Sequence, residues 1–301
     1  MTGRPMTTEQ PHFNRVALIG AGLIGGSLAR VMRSQKLADH VTAYSRRAKT
    51  RDRIKELGFV DVVADNAATA VADADLVVVS VPVSASGSVA EAIGPHLAPG
   101  TIVTDTGSVK QAVIDAMSPH LPSQVHFVPG HPIAGTEHTG PDAGFDQLFE
   151  GRWCVLTPPE GTDATAISIV ANMWRSAGSM VEQMSAPHHD MVLAITSHIP
   201  HLLAFNIVGT VAELEDQIKL EVVKYSAGGF RDFTRIAASD PEMWRDIFIE
   251  NKDAVLEMLG RFSEDLAALQ RAIRWDDADA LETKFTKTRD IRRDIIDAKQ
   301  A

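Results

Sequence analysis

One cysteine, Cys154, stands in 301 residues, so an internal disulfide is excluded and the chain does not read as a disulfide-built secreted protein. Basic residues are in the minority, 29 Lys and Arg against 39 Asp and Glu. The formal net charge of -10 argues against nucleic acid or an anionic membrane surface as a partner, since both need a basic face. Uninterrupted apolar runs are short. A run such as residues 76–79 before Ser80 falls far below the ~20 residues of a membrane span. Residues 1–11 are polar and lack the apolar centre of a signal peptide. Internal repeats and low-complexity segments are also missing. The expectation is a cytoplasmic protein with no membrane anchor, in which any anionic small-molecule substrate must be met by local Arg, Lys or His.

The length allows two domains, each with its own core. In the first half, β-branched runs at 16–19, 41–44, 76–81, 101–104, 125–128 and 154–157 alternate with helical patterns such as 25–34 and 88–97. That alternation predicts an α/β domain of Rossmann type with a mostly parallel sheet. A helical pattern at 162–177 and a last strand at 180–184 close it. From Pro187 onward only helix-type periodicity remains, over 187–209, 212–226, 240–269 and 276–298, which predicts an all-α second domain. Asp240-Pro241 reads as a helix N-cap followed by proline at the first helical position. Val255, Leu256, Met258, Leu259, Phe262, Leu266 and Leu269 form a stripe broad enough to bury against a second copy of the chain as well as within the chain. The expected division is 12–184 and 185–301.

Gly130-His131-Pro132-Ile133-Ala134-Gly135-Thr136-Glu137 follows the strand-like run 125–128 and sets an imidazole and a carboxylate in what reads as a turn. Ligands of open α/β sheets bind at that edge. Gly20-Ala21-Gly22-Leu23-Ile24-Gly25 lies between a strand and a helix, the context of a dinucleotide fingerprint. An NAD site would carry an acid some twenty residues on, but the chain reads Tyr44-Ser45-Arg46-Arg47. Two guanidiniums and a hydroxyl suit a 2′-phosphate, hence NADP. Asp105-Thr106-Gly107-Ser108-Val109-Lys110 brings Ser108 to the same edge, either to meet a substrate hydroxyl or to cap the helix 110–117. Four histidines crowd 188–201. On a continuous helix His189 and His198 would face opposite ways unless Pro200 distorts it, so a metal site is not the leading reading. Arg231 and Arg235 are four apart. The plain reading pairs Arg235 with Asp232, and the functional one makes Arg235 an anchor for a substrate carboxylate.

Taken together, segments 20–25, 105–110, 130–137, 197–201 and the long block 229–246 closely resemble prephenate dehydrogenase, with its arogenate-using and dual-substrate (cyclohexadienyl) relatives, over nearly the whole chain. The resemblance implies a Rossmann domain followed by a helical dimerisation domain, NADP or NAD as cofactor, and a homodimer. It also implies oxidative decarboxylation of prephenate to 4-hydroxyphenylpyruvate in tyrosine biosynthesis. Carried over by position, His131 accepts the proton of the ring hydroxyl and Ser108 holds that hydroxyl in line. Arg235 grips the ring carboxylate, His198 and Thr136 line the pocket, and Glu137 sits at its mouth. His189 and Trp244 lie close to substrate or cofactor, and Asp232 acts across the dimer. Gly20, Gly22, Leu23, Ile24, Gly25, Ser45, Arg46, Arg47 and Pro82 hold the cofactor. No regulatory domain or chorismate mutase segment is expected, so tyrosine feedback would act at the active site itself. The alternatives are an NADP-linked hydroxy-acid dehydrogenase without decarboxylation and a non-catalytic NADPH-sensing regulator.

Overall fold

The computed structural model describes residues 10–214, 221, 224 and 228–297. β1 (Phe13–Ile19), α1 (Leu23–Ser34), β2 (Ala38–Tyr44), α2 (Ala48–Leu57), β3 (Val62–Val63), α3 (Ala67–Val71), β4 (Leu76–Val79), α4 (Ser86–Ile93), β5 (Ile102–Asp105), α5 (Lys110–Met117) and β6 (His126–Val128) alternate along the chain. Their strands form one parallel sheet in the order β3-β2-β1-β4-β5-β6. This is the doubly wound order, and the connections diverge between β1 and β4, which opens a crevice at the carboxyl edge. β4 and β5 are buried along their whole length because helices cover both faces. Alternate residues of β1 serve the two faces. Val16 and Leu18 join Leu28, Met32, Val78 and Trp174 in one core. Ala17 and Ile19 join Val77, Val103, Val113, Met117, Trp244 and Ile247 in the other.

A second sheet corrects the expectation that His131 sits in a turn. The segment is itself a strand, β7 (Gly130–Pro132), antiparallel to β8 (Trp153–Leu156), which pairs in parallel with β9 (Met180–Gln183) after α6 (Ala164–Ser176). His131 faces Val155 in register. Pro132 is tolerated because the strand ends there, on the sheet's edge.

After β9 the chain turns helical. α7 (Ala186–Leu193) runs through a wider π-type turn (Ala194–His198) into α8 (Ile199–Ala212). Pro200 has no N–H for the carbonyl of Thr196, and the widened turn relieves the clash an ordinary α-turn would impose. The stretch Ala186–Ala212 also corrects the expectation that no segment is long and apolar enough to span a membrane, since by length and composition it qualifies, with a hydropathy of 1.6. Its His189, Asp190 and His198 are buried, although only 28% of its most apolar window is.

Helix Gly228–Thr234 is followed by a short 3₁₀ turn, Arg235–Ala238, and helix Pro241–Glu250. As its Asp-Pro start implies, Asp240 accepts the Met243 amide at 3.0 Å. The expected helix 240–269 is broken at Asn251 and resumes as Lys252–Arg274. Most of the expected helix 212–226 lies outside the described residues. The two compact units of the chain divide between Lys252 and Asp253, so the helices of 186–250 belong to the unit that holds the sheet. In the other unit the rest of Lys252–Arg274 meets helix Ala278–Asp297, with Lys284 donating to Asp265 at 3.0 Å. Leu256, Leu266, Ile273, Trp275, Phe285 and Ile291 are exposed there.

Candidate active site

At the end of β1 the backbone at Gly20 has φ +96°, and a Cβ there would strike the Ser80 carbonyl. A Cβ at Gly25 would strike the Gly20 carbonyl, whereas nothing lies within 4 Å of one built at Gly22. First and third glycines thus close the turn and seat α1 on the sheet, and the second leaves open backbone before a helix N-terminus, the cradle a pyrophosphate requires. Leu23 and Ile24 form the first turn of α1 and pack on the core. Pro82 follows β4 at the same edge. Beyond β2, Ser45 is half-buried and Arg46 and Arg47 are exposed. Sequence reasoning passes over Arg51, whose guanidinium donates to the Ser45 and Arg46 carbonyls at 2.9 and 3.0 Å and stands 5.8 Å from the Tyr44 ring. These residues fit a dinucleotide.

One buried carboxylate ties together the loops that carry Ser108 and His131. Asp105, the last residue of β5, accepts the Gly107 amide at 2.7 Å and the Gly130 amide at 3.2 Å. It therefore holds the backbone one residue before Ser108 and one residue before His131. Its counter-ion is the fully buried Lys110, which also donates to the Gly130 carbonyl at 2.8 Å. Burial pulls the Lys110 ammonium below its usual range, opposed by Asp105. Ser108 does not cap α5. The amides of Lys110 and Gln111 are instead met at 2.7 and 2.9 Å by the carboxylate of Asp190 on α7, and the Ser108 hydroxyl makes no side-chain hydrogen bond among the described residues.

Asp190 also orders a chain of imidazoles. Its carboxylate can only accept, so the 2.8 Å contact with His189 Nδ1 places a proton on that nitrogen. His189 Nε2 then carries a lone pair and accepts from His131 Nδ1 at 2.8 Å. The proton of His131 is thereby assigned to Nδ1, leaving Nε2 as a bare acceptor. Burial first, then the neighbouring His189, Lys110 and His198, hold His131 well below the ordinary imidazole value of 6.5. It stays a neutral base at physiological pH.

The π-type turn is the distortion at Pro200 that the facing of His189 and His198 depends on, because adding about one residue to a turn rotates the helix beyond it. Both rings are buried. His198 packs edge-on to Trp244 with centroids 6.0 Å apart, and His201 stacks on Trp244 with centroids 3.6 Å apart. His198 Nε2 and Trp244 Nε1 are buried with no hydrogen-bond partner among the described residues. Burial lowers His198 to about 4, and lowers His201 also, with the charge of Arg235 contributing. Arg235 pairs not with Asp232 but with Glu137, at 3.3 Å. Asp232 is exposed and stands 4.0 Å from Arg231. Thr136 is exposed and its hydroxyl accepts the His138 amide at 3.2 Å. Helix Pro241–Glu250, which carries Trp244, is tied to the loop after Pro82 by Ser84 donating to Asp246 at 2.5 Å. Among the described residues no group of three His, Cys, Asp or Glu is placed to hold a metal. Sequence reasoning assigns no role to Asp105, Lys110, Asp190 or Asn251; beside the local pairs Asp105–Lys110 and His189–Asp190, their bonds reach distant elements, and spacing carries no signal of those.

The family model described as "Prephenate dehydrogenase, nucleotide-binding domain" matches residues 28–183, and that described as "Prephenate dehydrogenase, dimerization domain" matches 185–287. A cyclohexadienyl dehydrogenase of Zymomonas mobilis is 44% identical over 280 residues, covering 93% of this chain and 95% of that protein. A prephenate dehydrogenase of Bacillus subtilis is 33% identical over 278 residues, 92% of this chain and 75% of the relative. The crystal structure of prephenate dehydrogenase from A. aeolicus in complex with hydroxyphenyl propionate and NAD+ superposes with a TM-score of 0.88 at 33% identity, covering 95% of this chain and 100% of that one. Synechocystis arogenate dehydrogenase superposes at 0.79 and 27% identity, covering 93% and 99%.

Proposed function

Because the chain belongs to the prephenate dehydrogenase family, we propose that it oxidises and decarboxylates prephenate to 4-hydroxyphenylpyruvate with NADP+ as the preferred oxidant, and that arogenate, giving tyrosine, is a second substrate. The observation that carries this reading is the proton order along Asp190, His189 and His131, which leaves His131 Nε2 as an acceptor at the carboxyl edge of the Rossmann sheet.

When bound, the nicotinamide supplies a hydride acceptor. His131 takes the proton of the ring hydroxyl as hydride leaves the same carbon, which avoids a protonated ketone and is worth a factor of about 10² to 10⁴ in rate. As positive charge develops on His131, His189 and Asp190 behind it stabilise the imidazolium. Ser108, its hydroxyl uncommitted, holds the substrate hydroxyl. Arg235 exchanges Glu137 for the ring carboxylate, so Glu137 acts as the gate, with Thr136 beside it. His198 and Trp244 donate from their unpartnered nitrogens to the substrate. Once the ring carries a ketone, loss of carbon dioxide is driven by aromatisation and asks no further group of the protein.

Gly20, Gly22, Leu23, Ile24, Gly25 and Pro82 line the dinucleotide turn in this reading. Ser45, Arg46 and Arg47 favour a 2′-phosphate, since no acid stands at the end of β2. We read 12–184 as the dinucleotide-binding domain and 185–301 as the helical domain of a homodimer, whose contact would cover the exposed Leu256, Leu266, Trp275 and Phe285. Asp232 would then face the partner's site. Purified protein mixed with prephenate or arogenate and with NADP+ or NAD+ tests all of this at once. Reduced nicotinamide and an aromatic product must appear together; reduction without decarboxylation would leave a hydroxy-acid dehydrogenase, and binding without turnover a sensor.

A further inference from the structure

Asn251 interrupts what otherwise reads as one long helix, and its side chain is buried. Its amide nitrogen is 2.9 Å from the Asp190 carbonyl oxygen and 3.1 Å from His198 Nδ1. A carbonyl oxygen only accepts, so the atom facing it must be Nδ2 rather than Oδ1, and the usual ambiguity of an amide's orientation is removed. Nδ2 carries two hydrogens. One goes to Asp190, and the other meets the His198 ring nitrogen, which must accept it with a lone pair.

We propose that Asn251 is a positioning residue that holds His198 in the Nε2–H tautomer, so that a neutral donor is presented to the substrate. The only ring nitrogen left to carry the proton is Nε2, the buried atom without a partner among the described residues. A neutral imidazole free to choose would present either a donor or an acceptor there, and only the donor complements an oxygen of an anionic substrate. The same residue joins His198 to the Asp190 backbone, so one element, α7, sets the proton order of His131 through the Asp190 carboxylate and that of His198 through the Asp190 carbonyl. The substrate half of this inference rests on the reading of His198 above; the tautomer half does not.

Nitrogen NMR of the protein labelled with ¹⁵N-histidine, without substrate and near neutral pH, tests it. His198 is assigned by the signal missing in His198→Gln. Nδ1 is expected to appear as a lone-pair nitrogen and Nε2 as the protonated one; the reverse pattern in the native protein overturns the proposal without need of any variant. In Asn251→Ala the ring is expected to populate both tautomers, and KM for prephenate to rise about tenfold, one hydrogen bond's worth, with kcat little changed. An unchanged tautomer in that variant refutes the role of Asn251. A displaced tautomer with unchanged KM supports that role and counts instead against His198 as the substrate's donor.

Discussion

Acid should unfold this protein through its buried histidines, and His198 allows the size of the effect to be worked out. Its ring is 1% exposed and burial lowers it from 6.5 to about 4. In the unfolded chain the same ring binds a proton below about 6.5, while the folded protein keeps it neutral until about pH 4. Between those values the unfolded state holds more protons, so stability is whole above the upper value and is lost as pH falls toward the lower one. At about 1.4 kcal/mol per pH unit, this one ring removes about 3 kcal/mol across that window. His131, His189 and His201 are lowered in the same direction, so the native protein as a whole should lose more. The assay is urea unfolding monitored by tryptophan fluorescence at a series of pH values, at fixed protein concentration, for the native protein and His198→Gln. Whatever stability the variant starts from, only the change with pH matters: its advantage over the native protein should grow by about 3 kcal/mol between pH 6.5 and about 4. Parallel curves would refute the claim that His198 is buried neutral.

Other consequences are equally direct. His131→Asn should lower kcat by about two orders of magnitude or more with KM little affected, and unchanged turnover would refute the base assignment. In the native enzyme the acid limb of kcat/KM should fall below 6.5, because His131 is held neutral there. Arg235→Gln should chiefly raise KM, since it removes the ion pair to the ring carboxylate, at a cost of about 2 to 5 kcal/mol if that pair is desolvated in the complex; titration against prephenate checks it. Lys110→Met strands the buried Asp105 carboxylate and should destabilise the fold by about 3 to 5 kcal/mol, measured as a lower urea midpoint. Arg46→Ala combined with Arg47→Ala should weaken binding of 2′,5′-ADP but not of ADP by calorimetry, and equal losses for both would end the NADP reading.

Much of the dinucleotide half is legible in the chain alone because its signals are local. The strand, Gly20-to-Gly25 turn and helix at the start follow from hydrophobic pattern and glycine chemistry, and α5 runs over the same 110–117 that the periodicity marks. His131 can be singled out from its neighbours, but its setting cannot. Pro and Gly around it argue for a turn, and only its pairing with β8, distant in sequence, makes it a strand residue. Arg235 can likewise be singled out, yet the nearest acid in sequence, Asp232, is not its partner; Glu137, far away in the chain, is.

Residue types and short spacings determined which groups are available: a glycine cradle, guanidiniums after β2, histidines in two clusters and a serine at a strand end. Tertiary structure decided which proton sits where. Asp190 orders two imidazoles and caps α5, Asn251 orients a third ring, and a widened helical turn brings His189 and His198 to the same interior. A hydrogen bond's direction depends on the two atoms that meet, and apart from the neighbours His189 and Asp190 those atoms come from elements 50 to 80 residues apart, a separation at which no periodicity in the chain carries information.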